Sequence, residues 1–330
     1  MTETFESRDQ ARLALLRQAV SLRPQSADLV FQLAGELAGI GRYDEYASHF
    51  RKALLLDPNI DPWPVLLPGE TQQAAALRQR ERMRALVERG VVYAPVLAAL
   101  VIAEALLGND AEVARLVDFE GFLRCAPIAP PAGYTAPGFH AVLAEEIESA
   151  AQVRKDPAGS PLHHASRLNG LMQSPKPVFR ALAEEIRGHV ERYIAQLPAG
   201  SDHPFVAARP EHYDLRGWAI VSNGESRLDS HFHPRAWLAG VYYVVQPEIA
   251  DSPGSDGGWL RVGPPTRGGV TVADGFPERR VKPEPGHLLL MPGYFFHELP
   301  PMGVAQKRIS VAFNVMPREF GAGDAADDGG

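Results

Sequence analysis

Cysteine is nearly absent from this chain: its 330 residues contain one, Cys125. A single thiol excludes an internal disulfide framework and fits a reducing compartment, the cytoplasm. Long apolar runs are missing too. No stretch approaches the roughly eighteen consecutive apolar residues that a membrane-spanning helix needs. The first eight residues are polar and acidic and do not read as a signal peptide. Nor is positive charge in excess, since 33 Lys and Arg stand against 40 Asp and Glu, for a formal net charge of -7. Phosphate binding wants a basic surface, so a nucleic-acid partner is not expected. What remains, 45% hydrophobic and 22% charged residues, is the composition of a soluble globular protein with room for about two domains.

A repeat marks the first hundred residues. Leu16-Arg17-Gln18-Ala19-Val20-Ser21-Leu22-Arg23-Pro24 returns as Phe50-Arg51-Lys52-Ala53-Leu54-Leu55-Leu56-Asp57-Pro58, an offset of 34 residues, which is the tetratricopeptide (TPR) period. Between the copies the pattern predicts a helix over 27–40, a turn at Gly41-Arg42-Tyr43-Asp44 and a second helix ending at Leu56. A weaker copy spans 95–107, with Gly108-Asn109-Asp110 as its turn. Prolines 24 and 58 follow helix ends, where proline stops a helix at little cost. The segment resembles tetratricopeptide repeats. That resemblance implies stacked helix pairs, which either offer a groove to a peptide or protein partner or only brace the C-terminal domain. Arg78-Gln79-Arg80-Glu81-Arg82 reads as a solvated helix face.

Beyond the repeats the pattern changes. Residues 126–138 are rich in Pro and Gly and read as a linker. A helix is expected over 139–153. Another, over 178–196, has Val178, Leu182, Ile186, Val190 and Ile194 on one face. From Tyr213 onward the pattern is β-like, with strands expected at 215–222, 238–245, 259–262, 287–291 and 308–315. Ser252–Gly258 reads as a flexible loop and the residues from 318 on as a disordered tail. Helices followed by strands predict an α+β chain: a helical repeat domain over 1–125, the linker, and a β-domain with buttressing helices over 139–317.

The chemistry concentrates in His231-Phe232-His233-Pro234, directly before the apolar run Trp237-Leu238-Ala239-Gly240-Val241-Tyr242-Tyr243-Val244. In extended chain, residues two apart share a face, so one strand can offer two imidazoles to one metal ion. A third histidine, His297, follows the Pro292-Gly293 turn. In the last strand, Ile309, Val311, Phe313 and Val315 alternate with Arg308, Ser310, Ala312 and Asn314. On an outer face Arg308 and Ser310 would simply be solvated. Inside a barrel Arg308 would need an anion, because an unpaired buried charge is too costly, and a guanidinium beside a hydroxyl suits a carboxylate. Two histidines and a carboxylate with open positions describe non-haem iron(II) oxygenases. His163-His164, His203, His212 and His140 read as ordinary loop or surface residues, and Trp218 as core.

From about residue 139 to 317 the chain resembles 2-oxoglutarate/Fe(II)-dependent oxygenases that occur fused to tetratricopeptide repeats. The matching text is His231-Phe232-His233-Pro234, Trp237–Tyr243, Pro283-Glu284-Pro285-Gly286, Pro292–His297 and Arg308–Asn314, with Ala239 where the family usually has serine. The resemblance implies a double-stranded β-helix (jelly-roll, cupin-like) and the cofactors Fe(II) and 2-oxoglutarate. It further implies iron ligands at His231 and His297, Arg308 on the distal carboxylate of 2-oxoglutarate, and Ser310 with Tyr243 or Tyr242 in support. Asn223, Trp237 and Asn314 are expected to line the site. The departure lies at the third ligand, where the superfamily has Asp or Glu and this chain has His233. The third ligand is then His233, Asp229, Glu298, or a water or substrate. Three functions are open: a hydroxylase of a peptide, protein or small molecule, a partner-binding protein with a degenerate barrel, or a three-histidine dioxygenase of cupin type that uses no 2-oxoglutarate.

Overall fold

The computed structural model describes residues 3–40, 42–56, 61–64, 66, 69–150, 154–155, 162–247, 257–267, 269–303 and 305–318. Gly41, Pro58, residues 252–256 of the expected loop and the tail beyond Arg318 lie outside them. The helices are α1 (Glu3–Leu22), α2 (Ala27–Gly39), α3 (Tyr43–Leu56), α4 (Gln72–Glu88), α5 (Ala94–Leu106), α6 (Asp110–Leu116), α7 (Phe119–Phe122), α8 (Ala136–Glu148), α9 (Pro177–Gln196) and α10 (Pro204–Ala207). The strands are β1 (Arg124–Pro127), β2 (Arg154–Lys155), β3 (Leu162–Leu168), β4 (Tyr213–His231), β5 (Leu238–Val245), β6 (Leu260–Val262), β7 (Thr266–Arg267), β8 (Val270–Thr271), β9 (Arg279–Val281), β10 (His287–Pro292), β11 (His297–Leu299) and β12 (Arg308–Pro317). Among the described residues, no helix is long and apolar enough to cross a membrane.

Helices α1 to α6 pack in sequence, α1 on α2, α2 on α3, α4 on α5 and α5 on α6. The apolar side chains of α2 and α3 close a core of their own with Leu86, Val96 and, from β12, Met316. Helix α5 is apolar on every side and is buried along nearly its whole length, as an all-round apolar helix must be. Its one carboxylate, the fully buried Glu104, is held by Arg84 Nη2 at 2.6 Å and Asn109 Nδ2 at 2.5 Å. Leu97, Val101, Leu116 and Phe122 already belong to the second core, which continues through α8 and α9 into the barrel. Helical and β parts therefore share apolar contacts, and β1 draws Ala126 and Pro127, read as linker, into the sheet beside β10.

The sheet is antiparallel and nearly closed, in the jelly-roll manner, with order β1-β10-β5-β12-β4-β11-β6-β9 and β3 beside β4. Strand β5 and the start of β12 fall where the alternation places them. Strand β4 does not stop at Ser222 as expected. It runs on through Asn223-Gly224 to His231 because the bend is pinned: Ser226 Oγ donates to the His164 carbonyl at 2.6 Å and accepts from Asn223 N at 2.9 Å. His163-His164, read as a solvated loop, lies in β3. His164 sits at φ 55, where the pairing with β4 shifts register. That irregularity puts Leu162, Ala165 and Arg167 all on the buried side.

Candidate metal centre

Antiparallel register builds the centre. His297 opens β11 directly opposite His231, the last residue of β4, and directly paired residues share a face. Phe232 and Phe296 point the other way and pack on each other, with ring centroids 5.1 Å apart. His233 has left the strand. Its backbone N–H donates to the Gly293 carbonyl at 2.8 Å, and its own carbonyl accepts from Ala236 N. This turn brings its ring back beside the other two. The three histidines each offer a nitrogen, and these atoms all lie within 4.8 Å of one another.

The ring tautomers follow from the partners. His231 Nδ1 meets the Asp229 carbonyl at 2.9 Å and His297 Nδ1 meets the Phe295 carbonyl at 3.0 Å. A carbonyl only accepts, so both Nδ1 atoms carry the proton and both Nε2 atoms present lone pairs. His233 Nε2 lies 3.2 Å from His297 Nε2. Two metal–nitrogen bonds of about 2.1 Å at a right angle would place their nitrogens about 3 Å apart, so the pair fits one cation. Burial pulls the pKa of His231 down to about 4 and that of His233 to about 3, and holds His297 well below its usual range. All three are therefore neutral at pH 7, the state a metal requires. The rings are held by stacking as well: His233 is parallel to His297 at 5.0 Å, and Trp218 lies 6.2 Å beyond it.

The other two proposed third ligands are engaged elsewhere. Asp229 directs its carboxylate to His163 Nε2 at 2.7 Å and Arg227 Nε at 3.2 Å. Glu298 accepts from Arg261 Nη1 at 2.7 Å, on the face opposite His297.

Arg308 is inside the barrel, 3% exposed, with Nη1 donating to the Gly258 carbonyl at 2.8 Å and its guanidinium 5.5 Å from the Tyr243 ring centroid. Burial pulls its pKa down, yet a guanidinium stays charged. Among the described residues no carboxylate pairs with it. Tyr243 turns a buried hydroxyl without a protein partner into the same pocket, and Ser310 is its register partner on β12. An orphaned hydroxyl, a buried guanidinium and a serine are a donor set that fits a carboxylate.

Three expected site residues are corrected. Tyr242 faces outward, because neighbours on a strand alternate, and its hydroxyl meets His140 Nε2 at 2.7 Å. Trp237 stacks on Phe205 at 4.7 Å and donates to the Phe205 carbonyl, lining a separate cleft with Val92, Tyr93 and Arg235. Asn223 stabilises the β4 bend and lines an outer groove with Glu225 and Lys307. Asn314 stays near the centre: its buried Oδ1 and the buried Nδ1 of His233 both lack a protein partner, and Asn314 acts to raise the His233 pKa against the effect of burial. His203 and His140, read as ordinary, are a buried helix cap and a core hydrogen-bond partner. Sequence reading missed Arg167, 3% exposed in the pocket wall, with its guanidinium 4.2 Å over the Trp218 ring. The signal that could have exposed it, alternation along β3, is broken at His164.

Residues 216–314 match the family model described as "Putative 2OG-Fe(II) oxygenase". The match runs from the first half of β4 to Asn314 and includes the three histidines and Arg308. This part of the barrel is thus similar to 2OG-Fe(II) oxygenases, a family whose cofactors are Fe(II) and 2-oxoglutarate, and the histidine cluster could bind the iron. Among solved structures the chain is similar to a Pseudomonas putida prolyl-4-hydroxylase, with 16% identity, TM-score 0.42, and coverage of 67% of this chain and 99% of that one. It is also similar to a Trichoplax adhaerens prolyl hydroxylase in complex with a hypoxia inducible factor peptide fragment (11%, TM-score 0.42, 66% and 96%). A third is HygX from Streptomyces hygroscopicus with nickel and 2-oxoglutarate bound (16%, TM-score 0.40, 62% and 86%). No curated protein matches the chain.

Proposed function

We propose that the protein is a 2-oxoglutarate- and Fe(II)-dependent dioxygenase, a hydroxylase of a peptide, protein or small molecule. The observation that carries this reading is three neutral imidazoles converging in a pocket that also holds the buried Arg308. In this reading His231, His233 and His297 hold the metal. Arg308, Ser310 and the Tyr243 hydroxyl grip the distal carboxylate of 2-oxoglutarate. The apolar walls, among them Ile220, Leu260 and Met291, keep water out. Bound together, iron and 2-oxoglutarate supply the oxygen-activating chemistry, and the protein supplies position and a dry pocket. The stacked helices of the first hundred residues act as tetratricopeptide-like units that recruit a partner or substrate in the cytoplasm. A three-histidine enzyme without 2-oxoglutarate, the reading that the absent carboxylate ligand favours, has no use for the Arg308 clamp.

Anaerobic addition of Fe(II) and 2-oxoglutarate should raise a charge-transfer absorption band, and oxygen should then yield succinate. Arg308→Ala should weaken 2-oxoglutarate binding at least tenfold while sparing Fe(II) binding. Absence of both band and succinate sinks the proposal, and a band without succinate turns it toward the non-catalytic reading.

A further inference from the structure

The three imidazoles of the centre are not held alike. His231 Nδ1 donates to the Asp229 carbonyl at 2.9 Å and His297 Nδ1 to the Phe295 carbonyl at 3.0 Å. Backbone therefore fixes those two tautomers, whatever side chains surround them. His233 Nδ1 is buried and meets no such carbonyl. The Nε2 of that ring stands 3.2 Å from His297 Nε2, so its Nδ1 faces away from the cluster. A second buried polar atom without a protein partner, Asn314 Oδ1, belongs to the same region. Asn314 follows Arg308, Ser310 and Ala312 on the inward side of β12. Its register partner on β5, Ala239, has no polar side-chain atom to offer it. Ala312 pairs with Trp218, whose ring stacks on His233 at 6.2 Å, and diagonal neighbours across a strand pair stay within side-chain reach. The Asn314 amide also acts on the His233 ring as a hydrogen-bond acceptor does, favouring the protonated form against burial. A buried donor and a buried acceptor thus stand near one another with no other protein partner, an arrangement costly to leave unmade.

We propose that Asn314 is a positioning residue of the metal centre, whose side-chain oxygen accepts the Nδ1 proton of His233 and so leaves Nε2 bare for the metal. This rests on the part of the oxygenase reading that makes His233 a ligand, and not on 2-oxoglutarate. The reason lies in the ligand type. A carboxylate coordinates through either oxygen and has no tautomer to set. An imidazole coordinates only through a nitrogen without a proton, and the neutral ring always keeps one proton. A centre with a third imidazole in place of a carboxylate therefore needs one more acceptor behind a ring. For His231 and His297 a nearby backbone carbonyl supplies it. His233 has left the strand, and its turn spends its own carbonyl on Ala236 N. On the inner face of β12, Asn314 supplies a side-chain oxygen instead. Of the three tautomers, only this one is set by a side chain and can be changed by substitution. Outer partners of this kind set metal affinity by about 10- to 100-fold.

Zn(II), which is diamagnetic and takes imidazole ligands, is the probe. In calorimetric titration of the full chain, Asn314→Leu, similar in shape but without an acceptor, should bind Zn(II) about tenfold or more weakly than the wild type. Asn314→Asp, which keeps the oxygen, should bind within about threefold of the wild type or tighter. In the proton NMR spectrum of the Zn(II)-loaded chain, the His233 Nδ1–H should give a slowly exchanging downfield resonance. That resonance should persist in Asn314→Asp and vanish in Asn314→Leu, while those of His231 and His297 persist in both. A packing role alone would not divide the two variants in this way. Wild-type Zn(II) affinity in Asn314→Leu overturns the proposal, as does an equal loss in Asn314→Asp. If Asn314→Leu does not fold, Asn314→Asp decides: retained affinity with the His233 resonance present supports the proposal, and loss of either overturns it. If His233→Ala binds Zn(II) as tightly as the wild type, the ligand assignment falls and the proposal with it. If His233→Ala weakens binding and Asn314→Leu does not, the proposal falls alone. Failure of the absorption band with Fe(II) and 2-oxoglutarate strikes the oxygenase reading, and the Zn(II) titrations still read Asn314.

Discussion

Tyr243 shows how far a single atom can divide stability from binding. Its hydroxyl is buried without a protein partner beside Arg308. Leaving a buried donor unmade costs about 1–3 kcal/mol, so removing the hydroxyl should not harm the ligand-free fold. Tyr243→Phe is therefore expected to keep or raise the thermal midpoint of the ligand-free protein. It should weaken 2-oxoglutarate binding about five- to tenfold, equivalent to about 1–1.4 kcal/mol. A lowered midpoint with unchanged 2-oxoglutarate affinity would refute that role. The resemblance singled out His231, His297 and Arg308 as candidates, and the structure brings all three to one pocket. Tyr242 and Tyr243 could not be told apart, because the choice depends on which face of β5 meets Ser310, and only the register with β12 decides it.

Among the elements, the turn after β10 does more than re-aim the chain. Gly293 donates to the Trp237 carbonyl at 2.9 Å and accepts from His233 N at 2.8 Å, so it clamps the turn that carries His233. A Cβ there would lie 2.0 Å from the Ala236 carbonyl oxygen and 3.2 Å from that of His233. Backbone cannot yield as a flexible side chain does. Gly293→Ala should thus cost about 1–3 kcal/mol of stability and lower Fe(II) affinity by tenfold or more, although no ligand is changed. Denaturant melts and metal titration check both, and an unchanged metal affinity would break the link between this turn and His233. The strands at 238–245 and 308–315 were readable from alternation, since one face of each is continuously apolar. Strand β3 was not, because its phase shifts at His164, and neither was the second half of β4, whose Asn223-Gly224 looks like a turn until Ser226 is seen to bridge it to β3.

At the scale of the whole molecule, a buried polar tie, His203, links the short α10 to the end of α6 inside the larger core. It caps α10 by accepting from Phe205 N at 3.2 Å through Nδ1, and it reaches the Arg115 carbonyl at 3.2 Å through Nε2. The bond accepted by Nδ1 needs the neutral ring, whereas the Nε2–H donated to Arg115 survives protonation. Burial, with Arg115 nearby, lowers its pKa to about 4 from 6.5. The unfolded chain therefore binds the proton first on acidification. This contribution to stability is complete above pH 6.5 and declines as pH falls toward 4, with a slope of at most about 1.4 kcal/mol per pH unit. Relative to the wild type, His203→Asn, which retains a cap acceptor, should flatten the loss of denaturant midpoint between pH 6.5 and 4. Parallel pH profiles for the two proteins would exclude His203 as the source.

The sequence by itself determined the kinds of element, the order of helices before strands, and the candidate histidines and arginine of the pocket. Those features come from local periodicity and from residue types whose burial demands a ligand. Only the tertiary structure decided which tyrosine faces inward, where Asp229 and Glu298 spend their charge, and that Arg167 belongs to the pocket. Each of these depends on pairing between strands far apart in the chain, and pairing is a property of register, which no single strand contains.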